Sequence, residues 1–166
     1  MRRKPIQPGI EIRAAAPDDA AQIASVLSDS FVEYKSSYTP EGYAATTPDS
    51  ERIRSRLNEG PVWVAVHDGT IVGTVSVVPR GAALYIRGMA VLPTTRGQRI
   101  GELLLKQIES FANAHGYQQL FLSTTPFLAR AIRLYEHAGF RRSHEGPHDL
   151  FGTPLFTMVK TLETSG

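Results

Sequence analysis

Apolar residues recur with two different periods along this chain, and each switch between them marks an element boundary. "IEIR" (Ile10 to Arg13) alternates apolar with charged, the two-residue period of a strand. From Ala16 to Phe31 the period lengthens: Ile23, Leu27 and Phe31 lie four apart on one helical face, Pro17 suits the first turn, and Asp18 and Asp19 suit its positive end. Residues 32–50 keep neither period and carry Pro40, Gly42 and Pro48. They predict a broken helix or loop, a candidate substrate lid, before a short helix over "SERIRSRL". Two β-rich runs, "VWVAV" and "IVGTVSVV", flank Asp68-Gly69, a strong hairpin signal, so strands two and three are expected to be antiparallel.

"LYIRGMAVL" reads as a fourth strand, after which "TTRGQRIG" turns into a helix through Ala114. Ile100, Leu103, Leu104, Ile108 and Phe111 form the expected buried face of that helix, and Gly116 stands where a helical C′ residue belongs. "LFLSTT" is a fifth strand, "LARAIRLYEHAGF" a helix closed by Gly139, and "PLFTMVKTL" a last strand, with "RRSHEGPHDLFGT" a loop before it. The order predicts a mixed α/β fold whose sheet is antiparallel early and parallel at the crossover from strand four to strand five.

Composition narrows the function classes. A chain of 166 residues with 42% hydrophobic and 20% charged residues fits one domain over 1–166, with residues 1–9 expected as a flexible N-terminal segment. The absence of cysteine excludes a disulfide framework, thiolate metal sites and a cysteine acyl-enzyme, and points to the cytoplasm. The basic start runs into prolines rather than an apolar export segment, and no apolar run nears the roughly 20 residues of a membrane span. A net charge of +2 and a pI near 9.0 come from basic residues scattered among acidic ones, which reads as solvated surface rather than a nucleic-acid or membrane partner. His144 and His148 have helical metal-ligand spacing, but Gly146 and Pro147 break the helix, and no metal is expected.

The turn after strand four carries the clearest chemistry. A strand that ends in a glycine-containing turn and opens a helix aims unpaired N–H groups and the positive helix end at one spot, which attracts phosphate. Gly97 permits close backbone approach, and Arg96 and Arg99 supply charge. The glycines at 97 and 101 fit neither the dinucleotide fingerprint nor the Walker pattern.

Together, "MAVLPTTRGQRIGELLL" and, about thirty residues later, "AIRLYEHAGF" resemble the acetyl-CoA-binding motifs of the GNAT superfamily of N-acetyltransferases. The first resembles that family's [RQ]-x-x-G-x-[GA] turn at Arg96 to Gly101, and the second its A-x-x-L-Y-x-x-x-G-F helix from Ala131 to Phe140. The resemblance covers the chain from about Glu11 to Lys160. It implies an acyl-CoA N-acyltransferase fold with a splayed strand-four and strand-five pair. It also implies acetyl-CoA as cosubstrate, its pyrophosphate on the amides of Arg96, Gly97, Gln98, Arg99, Ile100 and Gly101, with Glu102 at the start of the helix. Pantetheine is implied along Met89, Ala90 and Val91, and Ala131 faces the cofactor from the second motif.

Tyr135 matches the tyrosine that, in many such proteins, protonates the departing thiolate, a role a neutral phenol is ready for. Read from helical spacing alone, it shares a face with Ala131 and Ala138 as a core residue. Two positions depart from the family's pattern. Arg99 replaces its first motif glycine, and Leu128 its cofactor-binding asparagine, which leaves that contact to Ser123, Thr124 or Thr125. Neither the fourth nor the fifth strand holds a carboxylate. That leaves Glu33 or Glu41 as a candidate base, or a water relayed through backbone carbonyls or Ser123. Tyr34, Tyr38 and Tyr43 are expected to face "RRSHEGPHDLFGT" across the acceptor pocket. The reading is direct acetyl transfer to a primary amine, on a small molecule or a protein, and a homodimer is allowed; the alternative is a non-catalytic acyl-CoA-binding or regulatory module.

Overall fold

The computed structural model describes residues 9–163; the segment expected to be flexible lies outside them except for Gly9. Strand β1 (Ile10–Ala14) leads through a 3-10 turn into helix α1 (Ala20–Phe31). Asp19 fixes that junction by accepting from the Ala16 N–H at 2.7 Å and pairing with Arg13 at 2.8 Å. Ile23 and Leu27 are buried as their spacing requires, while Phe31 is half-buried at the helix end.

The aperiodic stretch is more ordered than its sequence suggests: a 3-10 segment (Val32–Ser37) precedes helix α2 (Pro40–Thr46) and helix α3 (Ser50–Arg56). Both short helices begin at side-chain caps, Thr39 accepting from the Gly42 N–H and Asp49 from the Arg52 N–H. Such caps supply what a missing apolar period cannot.

Strands β2 (Val62–His67) and β3 (Thr70–Arg80) form the expected hairpin, with Asp68 and Gly69 at φ 50° and 79°. Strand β4 (Ala83–Val91) pairs antiparallel with β3, and helix α4 (Ile100–Ala114) crosses to β5 (Gln119–Thr124), which runs parallel to β4. Helix α5 (Ala129–His137) and strand β6 (Arg141–Ser143) follow. The expected loop over 141–153 thus begins with a strand and contains a small hairpin, β7 (Asp149–Leu150) with β8 (Thr153–Pro154), before the last strand β9 (Phe156–Thr161). The main sheet runs β1-β2-β3-β4-β5-β9-β6.

Its two faces carry two cores. Trp63 and Ala65 of β2 join Leu84 and Ile86 of β4 beneath α4, while Val62 and Val64 point the other way to α1 and α3. The period of two along a strand demands this division. On α4, Leu105 and Ala112 are buried with Ile100, Leu104 and Ile108; Leu103 and Phe111, expected inside, are only half-buried. Among the described residues, no helix is long and apolar enough to cross a membrane.

Candidate active site

Strands β4 and β5 pair only from Ala83 with Gln119 to Ile86 with Leu122. Beyond that point β5 stays with β9, through Thr124 and Phe156, while β4 continues beside β3 to Val91. The two strands therefore splay, and the edge of β4 from Arg87 to Val91 has no strand partner among the described residues. A β-bulge sits where they part: Thr74 faces Ala90 but Ser76 faces Arg87, and Gly88 takes φ +60°. The extra residue reverses the facing of the rest of the strand, so Met89 and Val91 pack towards the α4 core and Ala90 towards α1.

Backbone groups on the open side can be assigned. The Leu92 N–H donates to the Val72 carbonyl at 2.8 Å, so in the alternating antiparallel ladder Val91 turns its own N–H and C=O away from β3. The Ser30 hydroxyl of α1 donates to the Val91 carbonyl at 3.1 Å. Its N–H remains on the open edge.

A cleft of about 610 Å³ runs through the splay. Met89, Ala90 and Val91 line one wall; Arg96, Gly97, Arg99, Ile100, Gly101 and Glu102 line the end at α4; Thr125, Ala131 and Tyr135 line the wall made by β5 and α5. Of the cofactor-binding residues expected from sequence, Gln98 alone does not border it, and it is half-buried.

The turn into α4 is tight and open to solvent. Gly97 has φ +88° and faces open space, since a Cβ there would meet nothing within 4 Å. Arg99, the N-cap of α4, also adopts the left-handed conformation with φ 62° and ψ 24°, and its guanidinium bonds to Glu102. Gly101 serves packing instead: a Cβ there would lie 2.7 Å from Leu134 Cδ2, so α4 starts in close contact with α5.

Tyr135 is fixed by the end of its helix. The Phe140 N–H donates to the Tyr135 carbonyl and the Gly139 N–H to the Glu136 carbonyl, both at 3.0 Å, with Gly139 at φ +100°. This pair of hydrogen bonds closes the helix and brings the residue after the glycine onto the one three before the cap. The rings of Tyr135 and Phe140 accordingly lie 5.8 Å apart. Burial, then the neighbouring Tyr38, pushes the Tyr135 hydroxyl up to about 12, so it holds its proton at neutral pH.

The far end of the cleft is aromatic and clasped. Tyr38 is buried, with its ring 4.9 Å from Phe127 and 6.1 Å from Tyr43, and Tyr34 lies 6.0 Å from Phe127. Thr39 joins this wall to the β7–β8 hairpin: its N–H donates to Thr153 Oγ1 at 2.9 Å and its hydroxyl to the Phe151 carbonyl at 2.8 Å. The irregular early segment and the late loop, expected on opposite walls of the acceptor pocket, thus meet directly, and Leu150 and Leu155 line the cleft beside them.

Neither candidate base stands at the splay. Glu33 is bound by Arg96 at the α4 end, and neither it nor the exposed Glu41 lines the cleft. Glu102, held by Arg99, is the sole carboxylate among the lining residues. Sequence reasoning also missed Phe127, Arg56 and Arg87. Only Arg87 carried a signal, a charge inside the apolar run "LYIRGMAV".

A model of the acetyltransferase (GNAT) family matches residues 23–140. The chain belongs to that family. It is an acyl-CoA-dependent N-acetyltransferase by descent and fold. The uncharacterized N-acetyltransferase YjgM of Escherichia coli (strain K12) is 27% identical over 135 residues, 78% of this chain and 80% of that protein. Human N-acetylaspartate synthetase is 35% identical over 98 residues, 58% of this chain but only 32% of that protein. The structure of the PaiA N-acetyltransferase of Thermoplasma acidophilum, in complex with coenzyme A, superposes with a TM-score of 0.80 at 18% identity, covering 92% of this chain and 99% of that one. This GNAT chain and that enzyme share the fold.

Proposed function

We propose that this GNAT chain transfers the acetyl group of acetyl-CoA to a primary amine by direct attack in a ternary complex, with Tyr135 as general acid. Three features fit the cosubstrate. The Gly97 turn presents open backbone amides at a helix start, the β4 edge offers unpaired peptide groups to pantetheine, and Thr125 borders the cleft together with Tyr38. Acetyl-CoA supplies a thioester, and attack by the amine releases a thiolate.

The chain's own part is positioning and proton delivery. Met89 to Val91 lie along the path, and the Val91 N–H on the open edge is a donor for charge developing on the acyl oxygen. Tyr135 faces the same cleft with its proton retained, and that observation carries the proposal. The amine loses its proton to water relayed past Ser123, since the one carboxylate lining the cleft, Glu102, lies at the α4 end and is held by Arg99. Thiol release from acetyl-CoA, measured across a panel of amines, tests the reading: turnover with a primary amine is expected, and coenzyme A binding with no turnover for any amine overturns it.

A further inference from the structure

The acyl-transfer chemistry leaves two arginines at the acceptor end without a task. Arg56, the last residue of α3, and Arg87 of β4 form a common wall between the main cleft and a second hollow that also holds Arg52 and Glu59. Arg56 reaches the splay because residue 88 is glycine: a Cβ there would lie 2.8 Å from Arg56 Nη1. That glycine is the bulge residue at which β4 leaves β5, so the guanidinium stands beside the start of the open edge.

The local charges do not balance. Glu59 is taken by Arg87, Nη2 to Oε1 at 2.5 Å, and Asp49 caps α3 through the Arg52 N–H at 2.9 Å. Arg56 makes no ion pair among the described residues, and Arg87 Nε is buried without a hydrogen-bond partner. Burial first, and then repulsion from Arg87, bring the Arg56 guanidinium down to about 10, still charged at neutral pH. Burial and repulsion from Arg87 outweigh the attraction of Glu59 for Arg56, and a ligand anion relieves that cost. The planar guanidinium fork matches a carboxylate.

We infer that the acceptor amine carries a carboxylate, received by the Arg56 guanidinium beside Arg87 where β4 parts from β5; the inference rests on the acetyl-transfer reading above. A carboxylate on Arg56 holds the amine of a short molecule against the β4 edge.

The test is steady-state kinetics with acetyl-CoA and paired acceptors: phenylalanine against phenethylamine, leucine against isoamylamine, and 4-aminobutyrate against butylamine. In at least one pair the carboxylated member is expected to have the higher kcat/KM, by at least about 10-fold, carried mainly by KM. Arg56→Gln should reduce that preference to under about threefold and Arg56→Lys should retain part of it, since charge survives without the fork. Arg87→Gln is a second route should the first variant melt early. The ratio within a pair cancels general damage, so a merely structural role for Arg56 leaves it unmoved. Equal or better use of the amines without a carboxylate, or a preference unmoved by both glutamine variants, overturns the inference while acetyl transfer stands. No turnover with any amine, with coenzyme A still bound in calorimetry, removes the acetyl-transfer reading and this inference with it.

Discussion

Arg99 opens helix α4 in the left-handed region and folds back onto Glu102, with Nη2 at 2.8 Å and Nε at 3.0 Å from Oε2. An arginine there carries the strain of a positive φ for an L residue, and in return neutralises the one carboxylate facing the proposed phosphate site. Arg99→Ala is expected to weaken coenzyme A binding by about 3- to 10-fold, chiefly by exposing Glu102 to the phosphates. Arg99→Ala with Glu102→Gln should recover most of that loss in calorimetry, whereas a direct arginine–phosphate bond predicts no recovery.

The same conformation makes a stability prediction. Arg99→Gly relieves the left-handed strain and gives up only an exposed i,i+3 ion pair, so a net gain of roughly 0.5 kcal/mol is expected. Thermal unfolding should rise by about 1 to 3 °C; a fall would mean the ion pair outweighs the strain.

Tyr135→Phe keeps the ring on Phe140 and removes the hydroxyl. Turnover should drop about 100-fold at saturating substrates, with coenzyme A affinity within about twofold of the parent. An unchanged rate would eliminate Tyr135 as the acid.

Burial pushes both Tyr38 and Tyr135 up to about 12, against about 10 in an unfolded chain. Between those values the folded state keeps protons that the unfolded chain releases. Their contribution to stability is therefore complete below about pH 10 and is lost as the pH rises through 12. Urea midpoints should fall across that window, less steeply in Tyr38→Phe, whose side chain has no proton to lose. Because Tyr135 stays protonated below it, the rate with a simple amine should rise with pH as the amine deprotonates and show no alkaline decline before about pH 10.

The two glycines of the turn separate by readout. Gly97→Ala strains a φ of +88° in open space where the backbone is proposed to meet phosphate, so it should lower coenzyme A affinity as well as costing stability. Gly101→Ala drives a methyl against Leu134 Cδ2, so its loss should appear first in stability, by roughly 1 to 3 kcal/mol. Denaturant titrations beside calorimetry distinguish the two.

Local rules made much of this legible beforehand. The Asp68-Gly69 hairpin, the α4 stop at Gly116, and the closure of α5 at Gly139 each depend on a few adjacent residues, and each stands where the sequence puts it. The Gly139-Phe140 pair also explains why Tyr135 is held so firmly, since its anchor lies five residues away. Helix α2 was hidden because a capped helix of seven residues shows no usable period. Phe127 and Arg56 were hidden because nothing adjacent to them reports what they meet from distant parts of the chain.

The sequence by itself determined most of the longer elements, the parallel crossover and the family, because periodicity, caps and glycine placement are short-range constraints on the backbone. Tertiary structure decided what the bulge at Gly88 does. One extra residue in β4, visible only in its register with β3, reverses the facing of Met89, Ala90 and Val91. It lies where the strand edge opens and where Arg56 reaches the cleft. Register is a relation between strands, so no single stretch of the chain contains it.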